Sequence, residues 1–458
     1  MTAGTAAAEN FRPGTYRLSL ISPVVTEHFL VTSRQASAYR ARQGEAAVKL
    51  QKALKDSYDV LIPETPHEAA TASRGDATRP TGWTDFGGRP RTPYAFVRLV
   101  ARKCSDQFEQ DGLTARCVER WYNIHDFGVL VFCWTFEIEA PEGASTQRLR
   151  AFADWLAETA LPEKVSGEAR DLTARVEKAL PDLTDKKVRD QIEHLDDATE
   201  WNFSPVSVHR VWSFSPDAIP QGGFSALRPL VEVSTVDGFQ PVEVGPQAHV
   251  YSGYMNSVVV APEDTRGRYS PEPLIAYYGY TYATMLLLDE RLFFASERFL
   301  KRTTNANGEG LKGNKARQMR ERLNIFRDMT TFFLHRHHDE LGVIKPFERR
   351  LWSQLMSSWR FEALASDLER KRDFLNEIYD QAAQRAQERL AMITNVVFGV
   401  LTSLTLVSVI GDLAWFFRGD VGESLVANEG WRWIWAGSAL GATALGVLIV
   451  FLTRSKNM

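Results

Sequence analysis

Two stretches near the C-terminus constrain this chain more than anything else in it. Residues 391–411 carry no charged side chain, and residues 433–453 are equally free of charge. A helix needs about 20 predominantly apolar residues to cross a bilayer, and both runs reach that length. Aromatic residues flank them where the water–lipid boundary should fall: Trp415, Phe416 and Phe417 after the first, and Trp431, Trp433 and Trp435 around the start of the second. The pattern predicts transmembrane helices over 391–417 and 433–453. A short loop, 418–432, joins them and carries Asp420, Glu423 and Glu429.

Basic residues set the expected orientation. Arg370, Lys371, Arg372, Arg385 and Arg389 precede the first span, and Arg454 and Lys456 lie in the tail 454–458. The loop has only Arg418 and Arg432. The positive-inside bias therefore puts both termini in the cytoplasm and the loop outside, as expected of a multi-pass protein of the inner (plasma) membrane. The first residues, MTAGTAAAENFRPGTYRLSL, lack the basic and apolar regions of a signal peptide, consistent with that topology.

Outside these runs the chain reads as soluble. Mean hydropathy is −0.26 and the formal net charge −3, so no bulk positive field favours nucleic acid as a partner. Cys104, Cys117 and Cys133 show no CxxC spacing and read as reduced core thiols. Segments such as TYRLSLIS, YAFVRLVARKC, LTARCVERWYNI, FGVLVFCWTFEIEA, SVHRVWSFS, LVEVSTV, PVEVG and SVVVAP are rich in β-branched and aromatic residues and predict strands. Residues 147–197 predict helix, punctuated by Pro162 and Pro181, and residues 69–93 a surface loop. The expected fold is an α/β (or α+β) cytoplasmic domain over 1–265, then a helical layer and stalk helix over 266–390, then the spans.

Residues 271–302 and 316–340 predict helices of that layer. The stalk follows from the absence of breakers: Pro346 is the last proline, and no glycine lies between Gly342 and Gly399. Apolar residues from Leu355 to Ala382 recur mostly at threes and fours. One helix running from residue 347 to 417 would be about 100 Å long at 1.5 Å per residue. The alternative is two helices broken near Ser357 and Ser358.

Chemistry-bearing motifs are sparse. Gly308, Gly310 and Gly313 match G-x-G-x-x-G with Lys315 nearby, but a helix precedes them where a dinucleotide site needs a strand. His335, His338 and Asp339 fall on one helical face at a spacing that suits a metal such as zinc. No nucleophile elbow or acid–base dyad can be placed, so neither an enzyme nor a bound cofactor is expected. In the second run, Gly437, Gly441 and Ala444 form a face that admits a neighbouring helix.

The first span is more informative. On a helical wheel Thr394, Thr402, Thr405, Ser408 and Asp412 share one arc, with Asn395 beside it and Ser403 outside it. A polar stripe ending in a carboxylate needs a wet or protein-lined surface. Several copies around an axis would supply one, with rings of oxygens that attract cations. Ordinary helix packing is the alternative, since Ser and Thr hydroxyls bond back to their own helix.

This architecture, together with the sequence AQERLAMITNVVFGVLTSLTLVSVIGDLAWFF, the acidic loop, the Trp-rich second span and the basic tail, resembles the CorA-type divalent-cation transporters over about residues 350–458. The resemblance implies a homopentamer whose first spans line a pore through the lipid bilayer, with Asn395, Thr402, Thr405, Ser408, Gly411 and Asp412 along the ion path. A divalent cation, magnesium or another, would be the transported or regulatory ion. The family's Gly-Met-Asn signature is here Gly411-Asp412-Leu413. A carboxylate ring binds ions differently from an amide ring, so magnesium selectivity does not carry over with the architecture. A second expectation is a CorA-like membrane effector, for example in phage defence, whose cytoplasmic domain binds a small-molecule signal and alters permeability.

Overall fold

The computed structural model of the chain describes residues 11, 14–26, 36–61, 96–125, 127–181, 203–219, 223–231, 241–245, 247–263, 271–304, 324, 327–331, 333–334 and 346–418. It is mixed α/β, and divides into two compact units: Met1–Phe294 with Asn324–Lys371, and Ala295–Leu323 with Arg372–Met458.

The first unit is organised by a ten-stranded sheet. Its strands are β1 (Gly14–Val25), β2 (Tyr58–Leu61), β3 (Val97–Ala101), β4 (Gln107–Gln110), β5 (Leu113–Ile124), β6 (Val129–Ala140), β7 (His209–Phe214), β8 (Val242–Gly245), β9 (Ala248–Ser252) and β10 (Asn256–Val260). The order is β2-β3-β5-β6-β1-β7-β10-β9-β8, with β4 also paired to β5. Only the β7–β10 pairing is parallel among these strands. The central strands are buried on both faces, β6 nearly throughout, as expected where helices cover a sheet on each side.

Pleat and register give the two faces different chemistry. One carries Leu18 opposite Phe136 and Trp212, and Leu20 opposite Trp134. These belong to the main apolar cluster with α1 (Ala36–Leu54), α2 (Thr146–Trp155) and α3 (Pro162–Ala179). Helix α2 starts where the Ser145 hydroxyl accepts a hydrogen bond from the Arg148 amide, capping a free N–H of the first turn. Pro162 opens α3, where a missing N–H costs nothing. Val165, Ala169, Leu172 and Val176 make its buried stripe. Between α2 and α3, the π-turn Leu156–Ala160 brings Glu158 to Arg210 on β7 at 2.8 Å.

The opposite face is polar at its centre. The register sets Ser19 beside Thr135 and Ile21 beside both Cys133 and His209. It also aligns Val211 with Ser257, and Ser257 with Ser252. Helices α4 (Glu272–Thr304) and α5 (Pro346–Ser358) supply partners to this face: Glu272 accepts from the Ser19 hydroxyl at 3.3 Å, and Gln354 donates to the Ser252 carbonyl at 3.2 Å.

The structure departs from the sequence reading in several places. The stalk is not one helix from 347: α5 ends at Ser358 and α6 spans Phe361–Arg418. Arg360 takes φ 51°, a left-handed conformation that ends a helix. This is close to the break considered at Ser357 and Ser358. LVEVSTV does not begin as a strand, since Arg228–Val231 is a helical turn whose Leu230 and Val231 are buried. The Val231 carbonyl oxygen sits so close to Gly253 that any Cβ there would collide with it. Helix α1 and strands β2, β4 and β9 were not anticipated. The predicted loop 69–93 and the glycine motif at Gly308, Gly310 and Gly313 lie outside the described residues.

Candidate functional site

Within the second unit, Ala391–Ile410 of α6 has a mean hydropathy of 2.0, and none of it is buried within the chain. It is the one helix among the described residues long and apolar enough to cross a membrane. Ile393, Phe398 and Leu406 are each at least 60% exposed. A contiguous apolar surface of that kind is unfavourable in water. The second apolar run, 433–453, with the loop from 419 and the tail, lies outside the described residues.

The polar residues of this segment are exposed on the same helix: Asn395, Thr402, Thr405 and Ser408. The Thr405 hydroxyl donates to the Leu401 carbonyl at 2.8 Å, and the Ser403 hydroxyl to the Gly399 carbonyl at 2.8 Å. Each of these two hydroxyls thus spends its proton on its own helix, the back-bonding that Ser and Thr make within a helix. Gly411 and Asp412 are both helical, so the glycine does not interrupt α6.

The metal-spaced residues His335, His338 and Asp339 lie outside the described residues. Among the described residues no group of three His, Cys, Asp or Glu side chains is placed to hold a metal.

The first unit has a second feature that sequence reasoning did not find: the turn from which α6 starts is anchored on the polar sheet face. Trp359 is 4% exposed. Its ring meets Tyr282 edge-on at 4.7 Å and Tyr278 edge-on at 4.9 Å, and stacks on His209 at 5.8 Å. Tyr278 reaches further, donating its hydroxyl proton to the Leu355 carbonyl at 3.2 Å and packing on Trp352 and Phe361. Behind the tryptophan, His209 Nε2 pairs with the Ser257 hydroxyl at 2.9 Å, and Ser257 with Ser252 at 3.0 Å. Burial, with the Arg210 charge beside it, pulls the His209 imidazole down to about 3, so it is neutral at physiological pH. Burial pushes the Tyr278 phenol up. Lys371 of α6 pairs with Asp289 of α4 at 2.6 Å and lies over the Phe293 ring. The signal for this cluster was present in HRVWSF, where alternation puts His209, Val211 and Ser213 on one face. What the sequence did not show was that Trp359 would lie over it.

No family model, curated protein or solved structure matches the chain.

Proposed function

We propose that the chain is a CorA-like membrane cation channel or transporter. Its pore would be lined by α6 from several copies of the chain, a homopentamer by the resemblance of residues 350–458, and gated by the sheet unit. The observation that carries this reading is the segment Ala391–Ile410: apolar, wholly unburied within the chain, and bearing one polar stripe. A lone chain has no use for such a stripe in lipid, whereas copies around an axis turn it into rings of oxygen ligands. In this reading Asp412 forms the outer ring, Ser408, Thr405 and Thr402 line the path below it, and Asn395 stands nearer the cytoplasmic end. The run 433–453 is the second span, and both termini are cytoplasmic at the inner (plasma) membrane. The transported ion is a divalent cation, with selectivity set by carboxylates rather than amides.

The test is the symmetry of the detergent-extracted particle. Five-fold symmetry with α6 at the axis supports the proposal, and a monomer or dimer overturns the pore assignment.

A second reading, a membrane effector that alters permeability only on a cytoplasmic signal, is favoured by one observation. Leu413 stands where the transporters carry an asparagine, removing the amide that meets the incoming hydrated ion. Rescue of growth on limiting magnesium by the chain alone, with no second signal, would count against it.

A further inference from the structure

Every arginine on the described strands but one holds a carboxylate. Arg17 pairs with Glu119 at 2.8 Å and Arg116 with Glu137 at 2.6 Å. Arg120 holds Asp106 at 3.2 Å and Glu168 at 2.8 Å, and Arg210 holds Asp154 at 3.0 Å and Glu158 at 2.8 Å. The exception is Arg98 on β3. The register puts it directly opposite Asn123 on β5, and its Nε donates to the Asn123 Oδ1 at 2.9 Å. Its guanidinium lies over the Trp121 ring, 4.4 Å from the centroid. Among the described residues no carboxylate is within ion-pair distance of it. Glu119, on the same face of β5 as Trp121 and Asn123, is taken by Arg17. Asn123 is fully buried, and its Nδ2 has no acceptor among the described residues. The cluster is therefore rich in donors and short of acceptors. Arg98 itself is only half-buried, so solvent reaches it.

We propose that Arg98, positioned by Asn123 over Trp121, binds the carboxylate of a small organic acid. With Nε held by the Asn123 amide oxygen, the two Nη groups form the planar fork that a carboxylate meets with both of its oxygens. Charge balance favours a carboxylate over a phosphate. One unpaired cation matches a single negative charge, whereas a phosphate dianion would leave an excess charge in half-buried surroundings. Burial pulls the Arg98 guanidinium below its ordinary value, so its neighbours do not offset the desolvation of its charge. A bound carboxylate offsets it. Asn123 is a positioning residue: it orients the guanidinium through Nε and leaves the Nη end to the ligand. The site stands whether or not the chain conducts ions.

The test titrates the full chain in detergent with sodium acetate, replacing sodium chloride at constant ionic strength and neutral pH. The melting temperature of wild type should rise with acetate and saturate, and the acetate methyl resonance should broaden when the protein is added. Arg98→Met, shown to be folded by circular dichroism, should lose both effects, and Arg98→Lys, which keeps the charge without the fork, should show them weakened. Asn123→Asp gives Arg98 a carboxylate from its own chain, so it should melt higher than wild type in chloride and gain little from acetate. A wild type no more stable in acetate than in chloride would overturn the proposal, and would leave Arg98 as a purely structural partner of Trp121. So would an Arg98→Met or Asn123→Asp protein that responds as wild type does. Stabilisation of wild type by inorganic phosphate but not by acetate would overturn the assignment to a carboxylate.

Discussion

Trp359 meets the Tyr278 ring edge-on, centroids 4.9 Å apart and planes 86° apart, so the turn just before α6 is wedged against the helix that covers the sheet. Edge-to-face pairs are favourable beyond the area they bury, because the positive ring edge meets a negative face. Emptying this site removes contacts with Tyr278, Tyr282 and His209 together. Trp359→Ala is expected to cost about 3–5 kcal/mol of stability, read by chemical denaturation of the solubilised protein. Trp359→Phe should cost clearly less. Equal losses for the two would show that ring packing is not what holds the turn.

Arg360 tests the same turn through the backbone. Its φ of 51° is left-handed, which glycine adopts freely and a β-branched residue resists. Arg360→Gly should leave stability unchanged or raise it, while Arg360→Val should lower it by about 1–2 kcal/mol. Thermal unfolding of both variants decides the point, and a tolerated valine would contradict the assigned geometry.

His209 predicts a pH response. Its folded-state imidazole is depressed to about 3 by burial and by Arg210, against 6.5 for a free histidine. A depressed group contributes stability above its unfolded value and loses that contribution as pH falls toward the folded one. Acidification from neutral pH toward pH 4 should therefore destabilise the wild type more than His209→Gln. Parallel melting-temperature curves for the two proteins over that range would rule His209 out as the cause.

Glu168 predicts the reverse slope in a lower window. It accepts from the Tyr122 hydroxyl at 2.8 Å and from Arg120 at 2.8 Å. Burial nonetheless outweighs these partners and holds its carboxyl above the usual value of 4.5. A carboxyl raised on folding contributes stability below its unfolded pKa and loses it as pH rises through the folded one. The stability of wild type relative to Glu168→Gln should thus decline as pH rises from below 4.5. A difference that grows with pH would mean that the Arg120 pairing dominates instead.

Leu404 sits mid-way along the apolar run and is exposed. Leu404→Arg should disfavour membrane insertion by about 2.5–3.5 kcal/mol, seen as a shift of the protein out of the membrane fraction. Undiminished insertion would argue that residues 391–410 do not meet lipid.

What was legible in the sequence was what a short window encodes. FGVLVFCWTFEIEA reads as a strand because nearly every residue is β-branched, aromatic or otherwise apolar, and it forms β6. The breaker-free stretch after Pro346 reads as helix, and α5 and α6 fill most of it. Strand β4 was missed although its signal was present: Asp111 and Gly112, both at positive φ, make the two-residue turn that an Asp-Gly pair favours between β4 and β5. That Thr402, Thr405 and Ser408 lie toward one side of a helix was legible because it depends on helical spacing alone. The cluster of His209, Ser257, Tyr278 and Trp359 was not, because its members come from β7, β10, α4 and the α5–α6 turn and meet only through the register of the sheet.

Cation flux tests the central claim most directly. The full chain is reconstituted in liposomes under an inward divalent-cation gradient, with a fluorescent indicator inside, and compared with Asp412→Ala and with empty vesicles. The account predicts flux above the empty-vesicle level for wild type, and a several-fold change in rate or ion preference for Asp412→Ala. Well-folded wild type that passes no cation in any gating condition, or an Asp412→Ala variant that conducts identically, would contradict it.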